Sequence, residues 1–189
     1  MKYTSLVLFC VFFHVSILHA QENKTTTSAP VPVDPITKLI TYEGVIEVKG
    51  ETASTLYKRT LDWFNTNYKN PTDVIRENDE SGNKVVGKHR FKIANPPDKN
   101  GLREGDAGLI QYTITVSSRD GRFKYEITEF GWKQTSVYPC ERWLQTTEPG
   151  YKPAYNDYLI QLDKEILLII SNLKESVLHA KPVKDKDNW

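Results

Sequence analysis

Between Ile110 and Thr128 the chain alternates apolar and polar side chains through two arms joined by Asp120-Gly121. In the first arm Ile110, Tyr112, Ile114 and Val116 fall on one side, and Gln111, Thr113, Thr115 and Ser117 on the other. In the second arm Phe123, Tyr125 and Ile127 oppose Lys124, Glu126 and Thr128. Successive side chains of a strand point to opposite faces, so this period of two describes strands buried on one face only. Asp-Gly supplies the backbone freedom that a tight hairpin turn needs. A parallel sheet, covered on both faces, would read as continuous apolar runs instead. The pattern therefore calls for an antiparallel sheet with one solvated face and an apolar layer on the other.

The rest of the chain supplies both parts. From Ile40 to Val48 another strand places Ile40, Tyr42, Gly44, Ile46 and Val48 on its apolar side. A short strand is expected at Val74–Glu77, a turn at 79–83, and a return strand from Lys84 to Ile93. On that strand Val85, Gly87, His89, Phe91 and Ile93 face inward, opposite Lys88, Arg90 and Lys92. A loop follows over residues 95–107. Two helices provide the cover. The first is capped by Thr52 or Ser54 and runs to about Tyr68, with Tyr57, Leu61, Phe64 and Tyr68 at helical spacing. The second runs from about Ala154 to Leu178, its apolar face built from Leu159, Leu162, Ile166, Ile169, Ile170, Leu173 and Val177. Residues 132–154 between them read as irregular. The order β-α-β-β-β-β-α predicts a two-layer α+β domain with an antiparallel sheet and helices on one face.

The amino terminus has a different character. Lys2, the apolar run Leu6–Phe13 and the small Ala20 before QENK have the layout of a cleavable secretory signal, expected to cover residues 1–20. His14, Ser16 and His19 interrupt the run too early for a membrane span, which needs about 20 apolar residues. Phe9 before Cys10, with more apolar sequence after it, does not suit lipid attachment. Residues 21–35, rich in Thr and Pro, read as a flexible leader, 36–180 as the domain, and 181–189 as a frayed tail. The expected product is exported, periplasmic or extracellular. After the signal only Cys140 remains, so no internal disulfide is available and the fold must rest on its core. Lys2 is the only charge in the first twenty residues, which leaves 24 basic and 24 acidic residues in the remainder. Zero net charge argues against general binding to polyanions or anionic lipid.

The stretches PVDPITKLITYEGVIEV, LYKRTLDWF, DVI, GNKVVGKHRFKI and DGRFKYEITEF, in that order over residues 33–132, resemble an exported bacterial family known as domain of unknown function 4468. The resemblance implies a TBP-like fold, β-α-β4-α. It implies no activity and no site residues, and residues 133–154 are longer than the family pattern.

The fold name suggests DNA, but the residues do not. Minor-groove binding of that kind uses apolar wedges and cations on the open face. That face here carries Thr113, Thr115, Ser117, Glu126, Thr128 and Glu47, with one basic stripe at Lys88, Arg90 and Lys92. Nucleic acid is therefore not an expected partner. For catalysis the exported part has only His89 and His179. His89 faces the apolar side of its strand, no nucleophile motif is present, and no catalytic residue is assigned. Asp98, Asn100, Glu104 and Asp106 offer oxygen ligands in one loop without a full calcium-loop pattern, so neither metal nor cofactor is expected. Trp132, Tyr138, Trp143, Tyr151, Tyr155 and Tyr158 crowd one region near the second helix. Such residues either plug the end of a small core or line a binding surface. On the second reading Trp132, Tyr138, Trp143, Tyr151 and Tyr155, with His89, are the candidate residues for an envelope protein or a small ligand such as a glycan. A non-enzymatic interaction module, monomeric or weakly dimeric, is the expectation. A small-molecule binder comes next and an uncharacterised enzyme third.

Overall fold

The structure is a computed structural model that describes residues 30–179 except Glu104. The expected signal (1–20), most of the leader and the tail (181–189) lie outside the described residues. The chain runs β1 (Tyr42–Glu47), α1 (Ala53–Asn67), α2 (Pro71–Val74), β2 (Ile75–Asp79), β3 (Lys84–Ala94), β4 (Asp106–Arg119), β5 (Arg122–Lys133), β6 (Val137–Pro139), a 3-10 turn (Cys140–Leu144) and α3 (Ala154–Leu178). All strands pair antiparallel in the order β1-β5-β4-β3-β2, with β6 also on β5. β1 covers the first half of β5, from Glu47↔Arg122 to Tyr42↔Ile127, and β6 covers Gly131–Lys133 beyond it.

β1 and β2 are opposite edges, so the chain between them must cross the sheet. α1 makes the crossing on the apolar face. Its 15 residues span about 22 Å, slightly more than the roughly 19 Å between the outer strands of five spaced 4.8 Å apart. Thr52 caps it, its Oγ1 accepting the Thr55 amide at 3.2 Å. The Asp120-Gly121 turn seats the same helix end: Asp120 accepts from the Ala53 amide at 2.8 Å, and the Gly121 amide donates to Glu51 O at 2.8 Å. The turn seen in the sequence thus also fixes where α1 begins.

The core lies between this face of the sheet and the two helices. Ile110, Tyr112, Ile114, Phe123 and Ile127 from the sheet are fully buried, as are Leu56 and Phe64 of α1 and Leu162, Ile166, Leu173 and Val177 of α3. Phe64 lies directly over Gly87 of β3, where a Cβ would overlap its ring. Tyr42 of β1 donates to Asp163 of α3 at 2.8 Å and ties sheet edge to helix. Before β1, Val31 is buried and Val33 bridges to Ile40.

Two local readings change. The strand expected to start at Val74 is preceded by a helical turn, Pro71–Val74, and begins at Ile75. Asn70-Pro71 does stop α1, but proline at a first helical position suits a new turn, because its missing N–H would have no partner there. The segment 132–154 is not wholly irregular: it holds β6 and the 3-10 turn.

The open face is charge-paired. Lys124 meets Glu43 (2.7 Å) and Glu126 (3.3 Å), Lys84 meets Glu77 (2.7 Å), and Lys88 and Lys92 lie 3.7 and 3.8 Å from Glu129 and Asp106. Exposed pairs of this kind contribute little stability, but they neutralise most of the basic stripe. Among the described residues no helix is long and apolar enough to cross a membrane, and no group of three or more His, Cys, Asp or Glu could hold a metal ion.

Candidate functional site

Strict alternation from Phe123 would turn Glu129 and Gly131 inward and Phe130 and Trp132 outward. The register shows otherwise. Thr113 pairs with Thr128 but Gln111 with Gly131, so β5 carries one extra residue opposite Tyr112. This bulge lies at Glu129–Phe130, with Glu129 at φ 56°. Thr113 Oγ1 donates to the Glu129 carboxylate at 2.7 Å and holds it on the open face. The parity flip buries Phe130 (2 % exposed) and points Trp132 to the helix side.

Trp132 is the centre of an aromatic cluster at that end of the sheet. Its indole N–H donates to Ala107 O at 2.7 Å, which fixes the ring. Around it stand Trp143 (5.4 Å between ring centres), Tyr155 and Tyr158 (both 6.1 Å) and Tyr138 (6.4 Å). They arrive on three elements: Tyr138 on β6 directly opposite Trp132, Trp143 on the 3-10 turn, and Tyr155 and Tyr158 on the first turns of α3. Trp143 stacks on Tyr155 at 5.9 Å and 27°, and Tyr151 meets the edge of Tyr155 at 5.8 Å. Trp143 and Tyr158 are buried, whereas Tyr138 is 39 % exposed.

Together Trp132, Tyr138, Trp143, Tyr151 and Tyr155 line an open cleft of about 390 Å³. Its rim is polar: Gln134, Arg142, Gln145, Glu148 and Lys152. The Arg142 guanidinium sits 5.2 Å from the centre of the Tyr138 ring, within cation–π range. Apart from that contact, these five rim side chains make no hydrogen bond or ion pair among the described residues. Five of the six sequence candidates therefore meet. The polar rim was not singled out from sequence, because isolated Gln, Arg, Glu and Lys in an irregular stretch carry no pattern.

His89 is not part of this site. It lies mid-sheet on β3, opposite Tyr112, with its ring 4.7 Å from Tyr68 and 6.2 Å from Tyr112. The two tyrosine hydroxyls share a hydrogen bond of 3.1 Å. Burial pushes Tyr68 up to about 12 and Tyr112 higher still, with the neighbouring phenol adding to the latter. Burial, and then the Arg90 charge, lower the His89 pKa and keep its ring neutral. Among the described residues His89 forms no ion pair with a carboxylate, although Glu165 of α3 lines the same small crevice of about 210 Å³. Cys140 lies elsewhere, fully buried, its thiol pKa raised by burial and then by Glu141. Of the loop oxygens considered for a metal, Glu104 is outside the described residues, and Asp98 spends its carboxylate on the amides of Asn100 and Leu102.

Residues 42–133 match the sequence family described as domain of unknown function (DUF4468) with TBP-like fold. Over this segment the chain resembles DUF4468. Two solved structures show the same fold. A TBP-like protein from Parabacteroides distasonis ATCC 8503 superposes with a TM-score of 0.63 at 9% identity, over 80% of this chain and 99% of that one. A DUF4468 family protein from Bacteroides ovatus ATCC 8483 gives 0.56 at 14% identity, over 77% and 91%. No curated protein matches the chain. The matched DUF4468 segment ends at Lys133. It supplies Trp132 to the cleft, while the other aromatic walls and the whole polar rim come from the residues that follow.

Proposed function

We propose that this protein is a non-enzymatic accessory protein, exported to the bacterial cell envelope, that works by binding a partner in its aromatic cleft. One observation carries the reading: five aromatic side chains, from β5, β6, the 3-10 turn, α3 and the loop before α3, converge on an open cleft whose polar rim side chains form no hydrogen bond or ion pair among the described residues. Aromatic rings with polar tips recur at binding surfaces because they offer a large rigid contact and a hydrogen bond together. A cluster serving only to close the core would gain nothing from a rim of unpaired amides and charges. The signal-like amino terminus supports export. The neutral, aromatic-packed His89 and the buried Cys140 support a non-catalytic role.

Two occupants suit such a cleft: a segment of another envelope protein, or a small ligand. The volume of about 390 Å³ falls within the range of about 300–1,000 Å³ typical of small-ligand sites and favours the ligand. The test is native mass spectrometry of protein gently purified from its own envelope, beside a Tyr138→Ala/Tyr151→Ala variant. A retained mass present in the parent and absent from the variant supports cleft binding. Bare monomer in both preparations removes the argument for tight ligand carriage, and a larger complex unaffected by the variant moves the binding surface away from the cleft.

A further inference from the structure

The walls and rim of the cleft differ in chemistry, and together they define a ligand. Trp132, Tyr151 and Tyr155 are held half-buried by mutual ring contacts, and Tyr138 stands more exposed, so their orientations are set before anything binds. Aromatic faces carry negative charge density and attract weakly positive C–H groups and cations. The rim adds two planar amides, Gln134 and Gln145, and three charges, Arg142, Lys152 and Glu148, whose side chains form no hydrogen bond or ion pair among the described residues. A purely apolar ligand would strip water from these groups and return no hydrogen bonds, which is costly. A ligand with a C–H face and a hydroxylated perimeter satisfies both halves.

We infer that the cleft binds carbohydrate, and that the saccharide it takes carries a carboxylate. The inference rests on the cleft being the binding site. A pyranose ring presents C–H groups on its flat face and hydroxyls around its edge, which matches aromatic walls under an amide rim. The open shape leaves room for a chain to continue past the bound unit. The preference for an acidic sugar comes from charge. Two cations and one carboxylate surround the cleft, and the Arg142 guanidinium lies over the Tyr138 ring, 5.2 Å from its centre, with no hydrogen bond or ion pair among the described residues. Such a guanidinium donates two parallel hydrogen bonds to a carboxylate. On the sheet face, by contrast, lysines already lie against Glu43, Glu77 and Glu126. The cleft cations form no ion pair among the described residues.

The test is binding of the purified protein to a glycan array bearing neutral and carboxylated oligosaccharides, followed by calorimetric titration of the best acidic and neutral members. The acidic member should bind at least about tenfold more tightly, the size of a charge-assisted hydrogen-bond pair. Arg142→Gln should bring the acidic member down towards the level of the neutral one, with a smaller loss for the neutral member, which loses a rim contact but no charge pair. Tyr138→Ala and Tyr151→Ala should weaken both, and added salt only the acidic one. Equal affinity for acidic and neutral members would sink the carboxylate assignment. Absence of binding to every saccharide at millimolar concentration would overturn the inference. If native mass spectrometry then still shows a cleft-dependent mass, the binding reading stands without carbohydrate; if it shows none, both fall. Saccharide binding that survives both tyrosine substitutions would place the site elsewhere and overturn the inference too.

Discussion

Trp132 on β5 donates its indole N–H to the carbonyl of Ala107 on β4 at 2.7 Å, and this bond anchors the inner wall of the aromatic cleft. Trp132→Phe keeps a ring in place but leaves that carbonyl without its partner, at an expected cost of about 0.5–1.5 kcal/mol. Trp132→Ala removes the packing as well and should cost about 3 kcal/mol or more. Tyr138→Ala, on the exposed wall, should change stability by less than about 1 kcal/mol. Urea denaturation of the three variants gives this order directly, and the reverse order would show that Trp132 is not the anchor.

Gly87 tests the seating of α1. A Cβ at this position would overlap the Phe64 ring and crowd Val74. Gly87→Ala should therefore destabilise the fold by about 1–3 kcal/mol through overpacking. Combining it with Phe64→Leu should recover part of the loss. A double-mutant cycle without coupling would contradict the contact.

Alkaline pH should unfold the domain through three buried phenols. Burial raises the pKa of Tyr42, Tyr68 and Tyr112, for Tyr68 from 10.0 to about 12. Above pH 10 the unfolded chain releases these protons and the folded chain keeps them, so stability falls as pH rises. Below pH 10 their contribution is fully present. Absorbance at the phenolate band should show at least these three tyrosines titrating only as the fold is lost, and Tyr42→Phe should remove one of them.

His89 gives the acid counterpart. Its folded pKa lies below the ordinary 6.5, lowered first by burial and then by Arg90. The unfolded chain therefore binds a proton that the folded chain refuses, and stability present above pH 6.5 declines as pH falls below it. Urea midpoints at pH 7.5 and 5 should drop less for His89→Gln than for the parent protein. An equal drop would remove His89 as a source of acid sensitivity.

Cys140 should be chemically silent in the folded protein. It is 0% exposed, and its thiol pKa is raised by burial, so little thiolate forms at neutral pH. A thiol reagent should label it only in denaturant. Cys140→Ser should cost about 1–3 kcal/mol if the buried hydroxyl finds no partner. Rapid labelling under native conditions would contradict this placement.

The sheet was legible in the sequence because each strand is covered on one face only. A period of two in Ile110–Val116 and Phe123–Ile127 can then be read without knowing what lies on top. The helix from Ala154 to Leu178 was legible for the same reason, at its own period. Phe130 and Trp132 were not assigned to the covered face, since a bulge at Glu129 reverses the parity of β5. No local signal marks a glutamate as the residue that will take a left-handed conformation. His89 joined the candidate list because histidine is chemically versatile. Its strand position places it among Tyr68 and Tyr112, away from the cleft.

The sequence by itself determined the strand faces as far as the bulge in β5, the Asp120-Gly121 turn, the two covering helices and the crowding of aromatics after Lys133, because each follows from residue type and short-range spacing. Tertiary structure alone decided which aromatics meet and which polar groups surround them. β6 brings Tyr138 opposite Trp132, the 3-10 turn inserts Trp143, and α3 adds Tyr155, so the cleft exists only where three separate elements are packed on one end of the sheet. Contacts between elements depend on register, bulge and crossing geometry, which hydrophobic periodicity does not encode.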